Sequence, residues 1–166
     1  KPIETASLRQ LAWSADGTKL TFKLVGNAKW HDGKPFTSAD VKCTFDMLLG
    51  KSKERLRKNP RAIWYRNVKE ITVNGDLEAT FVLEKPQPSL LMMLATGYTP
   101  IYPCHVAAKD MRQKLIGTGP FKFVEWRRGE LVRLDRNPDY WRPGLPYLDR
   151  IVVRFIPDSA TRTALL

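Results

Sequence analysis

The sequence predicts an α+β fold in which antiparallel hairpins pack with a few helices. Leu20, Phe22 and Leu24 alternate with polar residues, as in a strand with one buried face. Asn74-Gly75 stands between two strand-like stretches, and this dipeptide is typical of a tight hairpin. Thr37 and Asp40 have the Thr-x-x-Asp spacing of a capping box, which predicts the start of a helix.

The first part of the chain is predicted to contain three strands and two helices. The first strand follows the turn signal Asp16-Gly17, and the next two strands pair antiparallel around Asn74-Gly75. The second helix is apolar on nearly every side before Gly97, so we expect it to be buried. The strands are predicted at 18–24, 68–73 and 77–83, the helices at 38–49 and 89–96, and a loop or short helix at 50–67.

The last part of the chain is predicted to form a second hairpin, one more strand and a final helix. Residues 121–126 and 131–134 alternate in polarity across a turn that contains Gly129. Residues 151–156 predict a further strand, and Asp158 or Ser159 is a suitable cap for the helix that follows. We expect a boundary between two β-containing halves near residues 107–115.

The composition excludes several classes of protein. Hydrophobic residues make up 43% of the 166 residues and charged residues 27%, which is typical of a folded domain rather than a disordered chain. No apolar run approaches the 18 or so residues of a membrane span. The net charge of +11 and the cationic stretch 51–69, which contains Trp64 and Tyr65, leave a nucleic-acid-binding module as an alternative.

The sequence contains no recognisable catalytic or metal-binding constellation. Its two histidines, His31 and His105, belong to no HExxH motif or Cys/His cluster, and no GxSxG elbow or Walker loop is present. Of the nearby carboxylates Asp32, Asp40 and Asp46, the second is accounted for by the capping box. We therefore expect no enzyme activity, no catalytic residue, no metal and no cofactor. Whether Cys43 and Cys104 pair is left open by their spacing.

Several motifs, taken in order, carry a resemblance to a known family. Residues 11–24 read LAWSADGTKLTFKL and residues 28–41 read AKWHDGKPFTSADV. They are followed by GTGPF at 117–121, RNPDYW at 136–141, and PYLDRI at 146–151 leading to DSAT at 158–161. The chain thereby resembles the family 5 extracellular solute-binding proteins, which include oligopeptide-, dipeptide- and nickel-binding components of ABC importers.

The resemblance implies a lobe of the type II periplasmic binding protein fold. Residues 1–108 would form the small outer subdomain of the first lobe and residues 109–166 part of its main subdomain. We expect the chain to be a fragment of a longer protein whose second lobe is absent. The whole protein would be periplasmic, or extracellular on a lipoprotein anchor, and monomeric.

The resemblance also implies a function and a set of residues. Two lobes would close over a small solute, most readily a di- or oligopeptide, and the closed form would dock on a membrane permease. Nickel chelates, sugars and opines stay open as ligands. By their position in the family, Trp64, Tyr98, Thr99 and Tyr102 are the candidate ligand-binding residues of this lobe.

Overall fold

The computed structural model describes residues 8–54, 60–111 and 113–164. The chain forms two compact units, Lys1–Thr118 (unit 1) and Gly119–Leu166 (unit 2). The division falls after Thr118, just beyond the boundary expected near residues 107–115, because Met111 and Gly117 are held within unit 1. The His31 N–H donates to the Gly117 carbonyl at 2.9 Å, and Met111 packs in a buried cluster with Met47. The assignment of the two stretches to subdomains of a lobe stays a prediction.

Unit 1 is built on a four-stranded antiparallel sheet with the strand order β1-β2-β4-β3. β2, β3 and β4 confirm the predicted strands, and a backbone hydrogen bond of 2.9 Å from Asn74 to Glu78 closes the turn between β3 and β4. β1 was not predicted, because its residues LRQLAW do not alternate in polarity. The strands are β1 Leu8–Trp13, β2 Lys19–Leu24, β3 Val68–Val73 and β4 Glu78–Leu83.

The main helix, α1, runs from Ser38 to Leu48 and confirms the prediction of a capped helix. The Thr37 N–H donates to Asp40 Oδ2 at 3.0 Å, which is one half of the capping box. The helix packs against β3 and β4. A 3-10 helix, Pro60–Tyr65, forms within the stretch predicted as a loop or short helix. Over the described residues, no helix has the length and apolar character needed to cross a membrane.

The second helix, α2, spans Leu90–Ala95, and the prediction that it is buried is wrong. Leu90 alone is buried in it, and Met92 is 63% exposed. The apolar side chains Leu91 and Leu94 line a cleft at the surface instead of a closed core. A helix that is apolar on several sides therefore forms one side of an opening in unit 1.

The core of unit 1 is an aromatic cluster between α1 and the sheet. The ring of Phe45 on α1 meets Phe81 at a centroid distance of 4.8 Å and Tyr65 at 5.3 Å, both edge to face. Phe81 in turn contacts Phe22 on β2 at 5.5 Å. Edge-to-face pairs add specific geometry to the burial of large apolar area. The cluster fixes α1 on the sheet.

Unit 2 is a three-stranded antiparallel sheet with the order β5-β6-β7, followed by a short helix. These elements confirm the predicted second hairpin, strand and helix. The Thr161 N–H donates to Asp158 Oδ2 at 2.6 Å, as expected for a cap. The elements are β5 Phe121–Arg127, β6 Leu131–Arg136, β7 Arg150–Arg154 and α3 Ser159–Ala164.

Candidate functional site

Two of the four predicted ligand-binding residues form an aromatic pair on unit 1. Trp64 lies near the end of the 3-10 helix and Tyr98 follows α2, and their rings meet edge to face with centroids 6.2 Å apart. Gln87 Nε2 donates to the Trp64 carbonyl at 3.4 Å. Tyr98 is 54% exposed, so the pair presents aromatic surface to solvent.

The other two predicted residues, Thr99 and Tyr102, line a cleft of about 600 Å³ in the same unit. Trp64 and Tyr98 are not among its lining residues. A volume of this size is typical of sites for small molecules. The floor is formed by core aromatics and the sides by α2, by residues 97–103 and by residues 114–118. The residues that line it include Phe22, Trp30, Phe36, Phe45, Phe81, Leu91, Leu94, Ala95, Ile101, Pro103, Met111, Leu115 and Ile116.

The chemistry of the cleft is apolar, with a few polar groups. Lys114 is the one charged side chain among the described residues that line it. The Thr99 hydroxyl is buried and has no hydrogen-bond partner within the described part of the chain. A buried hydroxyl without a partner is energetically costly. The cleft therefore fits an apolar group that carries a single polar or anionic end.

Residues 97–106, here called the wall segment, are fastened to α1. The Tyr102 N–H donates to Thr44 Oγ1 at 2.9 Å, and the Cys104 N–H donates to Asp40 Oδ1 at 3.0 Å. Cys104 also forms a disulfide with Cys43, with Cα atoms 6.3 Å apart. The pairing that the sequence left open is thus settled in favour of a bond.

The loop that contains Trp30, His31 and Asp32 makes further contacts with α1 and with the wall segment. Trp30 Nε1 donates to Asp40 Oδ2 at 3.1 Å, and His105 Nε2 lies 2.6 Å from Asp32 Oδ2. Partial burial raises the pKa of Asp32, but hydrogen bonds from His105 and the Lys34 N–H outweigh it and leave this pKa below its usual range. The loop and the wall segment are thereby joined by an ion pair when the imidazole is protonated.

The three neighbouring carboxylates Asp32, Asp40 and Asp46 serve separate structural roles. Asp32 bonds His105, Asp40 caps α1, and Asp46 forms an i,i+4 ion pair of 2.8 Å with Lys42. Throughout the described ranges, no cluster of three or more histidine, cysteine or carboxylate side chains is arranged to hold a metal ion.

Sequence reasoning missed the residues that hold the wall segment in place. Asp40 was assigned to the capping box alone, yet it also binds Trp30 and Cys104. Asp40, Cys43 and Thr44 have the i, i+3, i+4 spacing of one helix face, which was the available signal. Nothing in the sequence distinguished Lys114 from the other basic residues of a chain with a net charge of +11.

The cationic stretch 51–69 is only partly described, since residues 55–59 lie outside the described ranges. Of its two aromatic residues, Tyr65 is fully buried and its hydroxyl donates to the Met93 carbonyl at 3.4 Å. Tyr65 is thus a core residue and does not present a face on which a base could stack.

Comparison with known families gives a match over nearly the whole chain. Residues 5–166 match the family model described as bacterial extracellular solute-binding proteins, family 5 Middle. The oligopeptide-binding protein AppA of Bacillus subtilis is 34% identical over 90% of this chain and 28% of its own length. The glutathione-binding protein GsiB of Pectobacterium atrosepticum is 31% identical over 92% of this chain and 30% of its own. The chain thus spans about three tenths of the length of these relatives.

Solved structures agree with the sequence matches. The structure of B. subtilis AppA in complex with a nonapeptide superposes with a TM-score of 0.80 at 31% identity, covering 96% of this chain and 32% of AppA. The structure of MoaA from A. tumefaciens R10 in complex with mannopinic acid has a TM-score of 0.83 at 26% identity, covering 97% and 32% of the two chains. These neighbours confirm the periplasmic-binding-protein lobe that the resemblance implied.

Known members of this family are periplasmic or extracellular binding proteins of ABC importers, not enzymes. None of these matches supports the nucleic-acid alternative. The ordered motifs, the fold of both units and the family match over residues 5–166 lead to one conclusion: this chain belongs to the bacterial extracellular solute-binding proteins of family 5.

Proposed function

We propose that this chain is part of the substrate-binding component of an ABC importer and that its solute is a di- or oligopeptide. The observation that carries the proposal is the aromatic pair Trp64–Tyr98 beside an apolar cleft, in a chain similar to the peptide-bound AppA. Aromatic side chains supply large, stiff contact area for a ligand. In the whole protein, this surface forms one wall of the solute site.

The lining of the cleft favours peptides with a bulky apolar side chain. Such a side chain enters between Leu91, Leu94 and Ile101. The Thr99 hydroxyl forms one hydrogen bond with the peptide, as donor or as acceptor. Lys114 places a positive charge at the cleft, which suits a peptide carboxylate. An apolar side chain next to the peptide C-terminus satisfies all of these groups at once.

Capture in the whole protein follows from closure of two lobes around the solute. One lobe covers only one side of a ligand, and most of the ligand surface must be enclosed for tight binding. We therefore expect the 166-residue chain to bind peptides far more weakly than the full-length protein that carries it. The closed form delivers the solute to a membrane permease from the periplasm or the outer cell surface, and the protein acts as a monomer.

The first test is a thermal-shift screen of the full-length protein with the 166-residue chain beside it. The ligands are peptides of two to five residues ending in Ala, Leu or Phe, with glutathione, nickel–histidine and mannopinic acid as competing classes. A ligand present at about 100 times its Kd stabilises the native state by about 2.7 kcal/mol. Shifts that rise from Ala to Leu to Phe in the full-length protein support the proposal. A shift with mannopinic acid or nickel–histidine alone contradicts it.

The second test addresses the predicted residues. Trp64→Ala and Tyr98→Ala in the full-length protein each lower the affinity for the best peptide at least about tenfold, since a buried aromatic contact contributes over 1 kcal/mol. Ile63→Ala is the matched control, because Ile63 precedes Trp64 in the same 3-10 helix and is 55% exposed. Equal losses in the control and in the aromatic variants, measured by calorimetry, would remove these two residues from the site.

A further inference from the structure

One face of α1 carries the attachment points of the wall segment. Asp40, Cys43 and Thr44 follow the i, i+3, i+4 spacing that places side chains on the same side of a helix. Their partners are Tyr102 and Cys104, about 60 residues further along the chain, as the disulfide separation of 61 records. α1 and the wall segment are thus joined by two backbone-to-side-chain hydrogen bonds and one disulfide.

The two sides of this junction differ in how they are supported. α1 is a regular helix packed on β3 and β4, and Phe45 in its centre is fully buried. Residues 100–103 of the wall segment have no regular secondary structure, although they line the cleft together with Gly97 and Thr99. An irregular segment takes its position from side-chain bonds rather than from a backbone ladder. The bonds to α1 therefore help to position this side of the cleft, together with the Asp32–His105 contact and the packing of Val106 against Met47.

The disulfide differs from the hydrogen bonds around it in one respect. Each hydrogen bond of Asp40 or Thr44 can exchange with a bond to water when the segment moves away, at a small net cost. The disulfide keeps Cys104 within reach of Cys43 during such openings. Tyr102 lies two residues before Cys104 and Thr99 five residues before it, so a restraint at Cys104 limits the movement of both cleft residues.

We propose that the Cys43–Cys104 disulfide positions the wall segment, so that the cleft keeps its binding shape in the oxidised protein and loses it on reduction. The consequence for solute binding rests on the proposed function above, whereas the consequence for the segment itself does not. Reduction by a dithiol reagent transfers two electrons and two protons to the disulfide and leaves two thiols, with oxidation of the reagent to its own disulfide. The wall segment is then held by its hydrogen bonds to α1, by the Asp32–His105 contact and by the packing of Val106 against Met47.

Hydrogen–deuterium exchange followed by mass spectrometry tests the positioning role without any ligand. The 166-residue chain is compared oxidised, reduced with dithiothreitol, and as the double variant Cys43→Ser/Cys104→Ser. We expect the hydrogen-bonded amides of Tyr102, Cys104 and Val106 to exchange at least tenfold faster in the reduced protein and in the variant, while amides of β2 and β4 keep their rates. The variant with added dithiothreitol is the control, and its rates should not change further.

Two outcomes would overturn the proposal. Unchanged exchange at 97–106 after reduction would mean that the hydrogen bonds of Asp40 and Thr44 hold the segment without help. Acceleration by the same factor in β2, β4 and the wall segment would mean that the disulfide only stabilises unit 1 as a whole. Thr44→Val keeps the disulfide and removes the bond to Tyr102, so it should raise exchange near Tyr102 by less than the cysteine variant does.

The same variants in the full-length protein test the consequence for binding, with Gly-Leu-Phe as the probe peptide. Reduction or the double serine variant should weaken its binding at least fivefold, and Thr44→Val less. Binding that is equal in the oxidised and reduced protein, alongside faster exchange at 97–106, would overturn the binding consequence while leaving the positioning role intact. If this peptide does not bind the oxidised protein either, the proposed function fails and the exchange experiment still decides the role of the disulfide.

Discussion

Unit 1 and unit 2 are both antiparallel sheets, but they are stabilised in different ways. Unit 1 encloses an aromatic core in which Phe45 and Leu20 are fully buried, and it contains both cysteines of the chain. In unit 2, the buried residues within the described ranges are Asn137 and Pro146. Its strands are joined by surface ion pairs such as Arg150–Asp135 at 2.7 Å. Similar hairpin signals in a sequence therefore lead to one well-packed unit and one that depends on its backbone ladder and surface charges.

The exposed apolar residues of unit 2 sharpen this contrast. Trp126 is 56% exposed on β5 and Phe155, just beyond β7, is 46% exposed, and Arg128 lies over the Trp126 ring at 5.5 Å from its centroid. Side chains this exposed add little to the stability of a sheet by burial. Substitutions should consequently have large effects in unit 1 and small ones in unit 2.

The largest effect is expected from Phe45→Ala in the core of unit 1. Removing a fully buried aromatic ring costs about 4 kcal/mol, because both its burial and its packing contacts are lost. Trp126→Ala is the matched substitution in unit 2 and should cost less than about 1 kcal/mol. Urea denaturation followed by circular dichroism measures both. Comparable losses would show that unit 2 has a core as important as that of unit 1.

A second, smaller effect is expected from Asp40→Asn on α1. The amide keeps the shape of the side chain but cannot accept all three hydrogen bonds that the carboxylate receives from Trp30, Thr37 and Cys104. We expect a loss of about 2 kcal/mol in the free energy of unfolding, since bonds to a charged, buried acceptor are stronger than neutral ones. Asp46→Asn on the same helix removes only an i,i+4 ion pair and should cost about 0.5 kcal/mol. If Asp40→Asn and Asp46→Asn lower the free energy of unfolding equally, the bonds of Asp40 to Trp30, Thr37 and Cys104 stabilise unit 1 no more than one surface ion pair does.

A third effect concerns the pH dependence of unit 1. Because the pKa of Asp32 is lower in the folded protein than its ordinary value, its contribution is present above about pH 4 and is lost as the pH falls through the folded pKa. Asp32→Asn should therefore lower the unfolding free energy by less than about 1 kcal/mol at pH 5, and by progressively less as the pH falls below about 4. If the difference in unfolding free energy between the wild-type chain and Asp32→Asn grows on acidification, the lowered pKa of Asp32 is contradicted. Denaturation curves at a series of pH values provide the measurement.

The smallest effect is expected from Arg150→Gln in unit 2. Arg150 binds both oxygens of Asp135, at 2.7 and 3.2 Å, and these bonds lower the pKa of the Asp135 carboxyl. Because the pair is exposed, solvent and salt screen it. We expect a slightly lower melting temperature at 50 mM NaCl and no difference at 1 M NaCl. A difference that persists at high salt would show that this pair contributes more than surface charge.

The sequence predicted the elements of both units more completely than their packing. The signals at Asn74-Gly75, Thr37–Asp40 and Gly129 are local, and each turn or cap formed where it was expected. The prediction that α2 is buried was wrong, because an apolar helix at the rim of a cleft has the same sequence pattern as an apolar helix in a core. β1 was missed because its pairing with β2, and not its own pattern, makes it a strand.

The candidate site was predicted as four residues and found as two pairs. Trp64 with Tyr98, and Thr99 with Tyr102, came from the resemblance, and their ligand-binding roles stay predictions. The bonds of Asp40 to Cys104 and of Cys43 to Cys104 span more than 60 residues, and no local pattern reports contacts over that distance. Long-range anchors are therefore the part of the site that required the structure.

The anchors described for the wall segment, at Tyr102, Cys104 and His105, all lie after Tyr98 and Thr99. Tyr98 and Thr99 thus precede all of these anchors, whereas Tyr102 both lines the cleft and bonds to α1. For protein engineering, residues 98–101 form a short exchangeable cassette. Under the proposed function, randomising this stretch with Asp40, Cys43 and Thr44 kept constant should alter the preference among peptides.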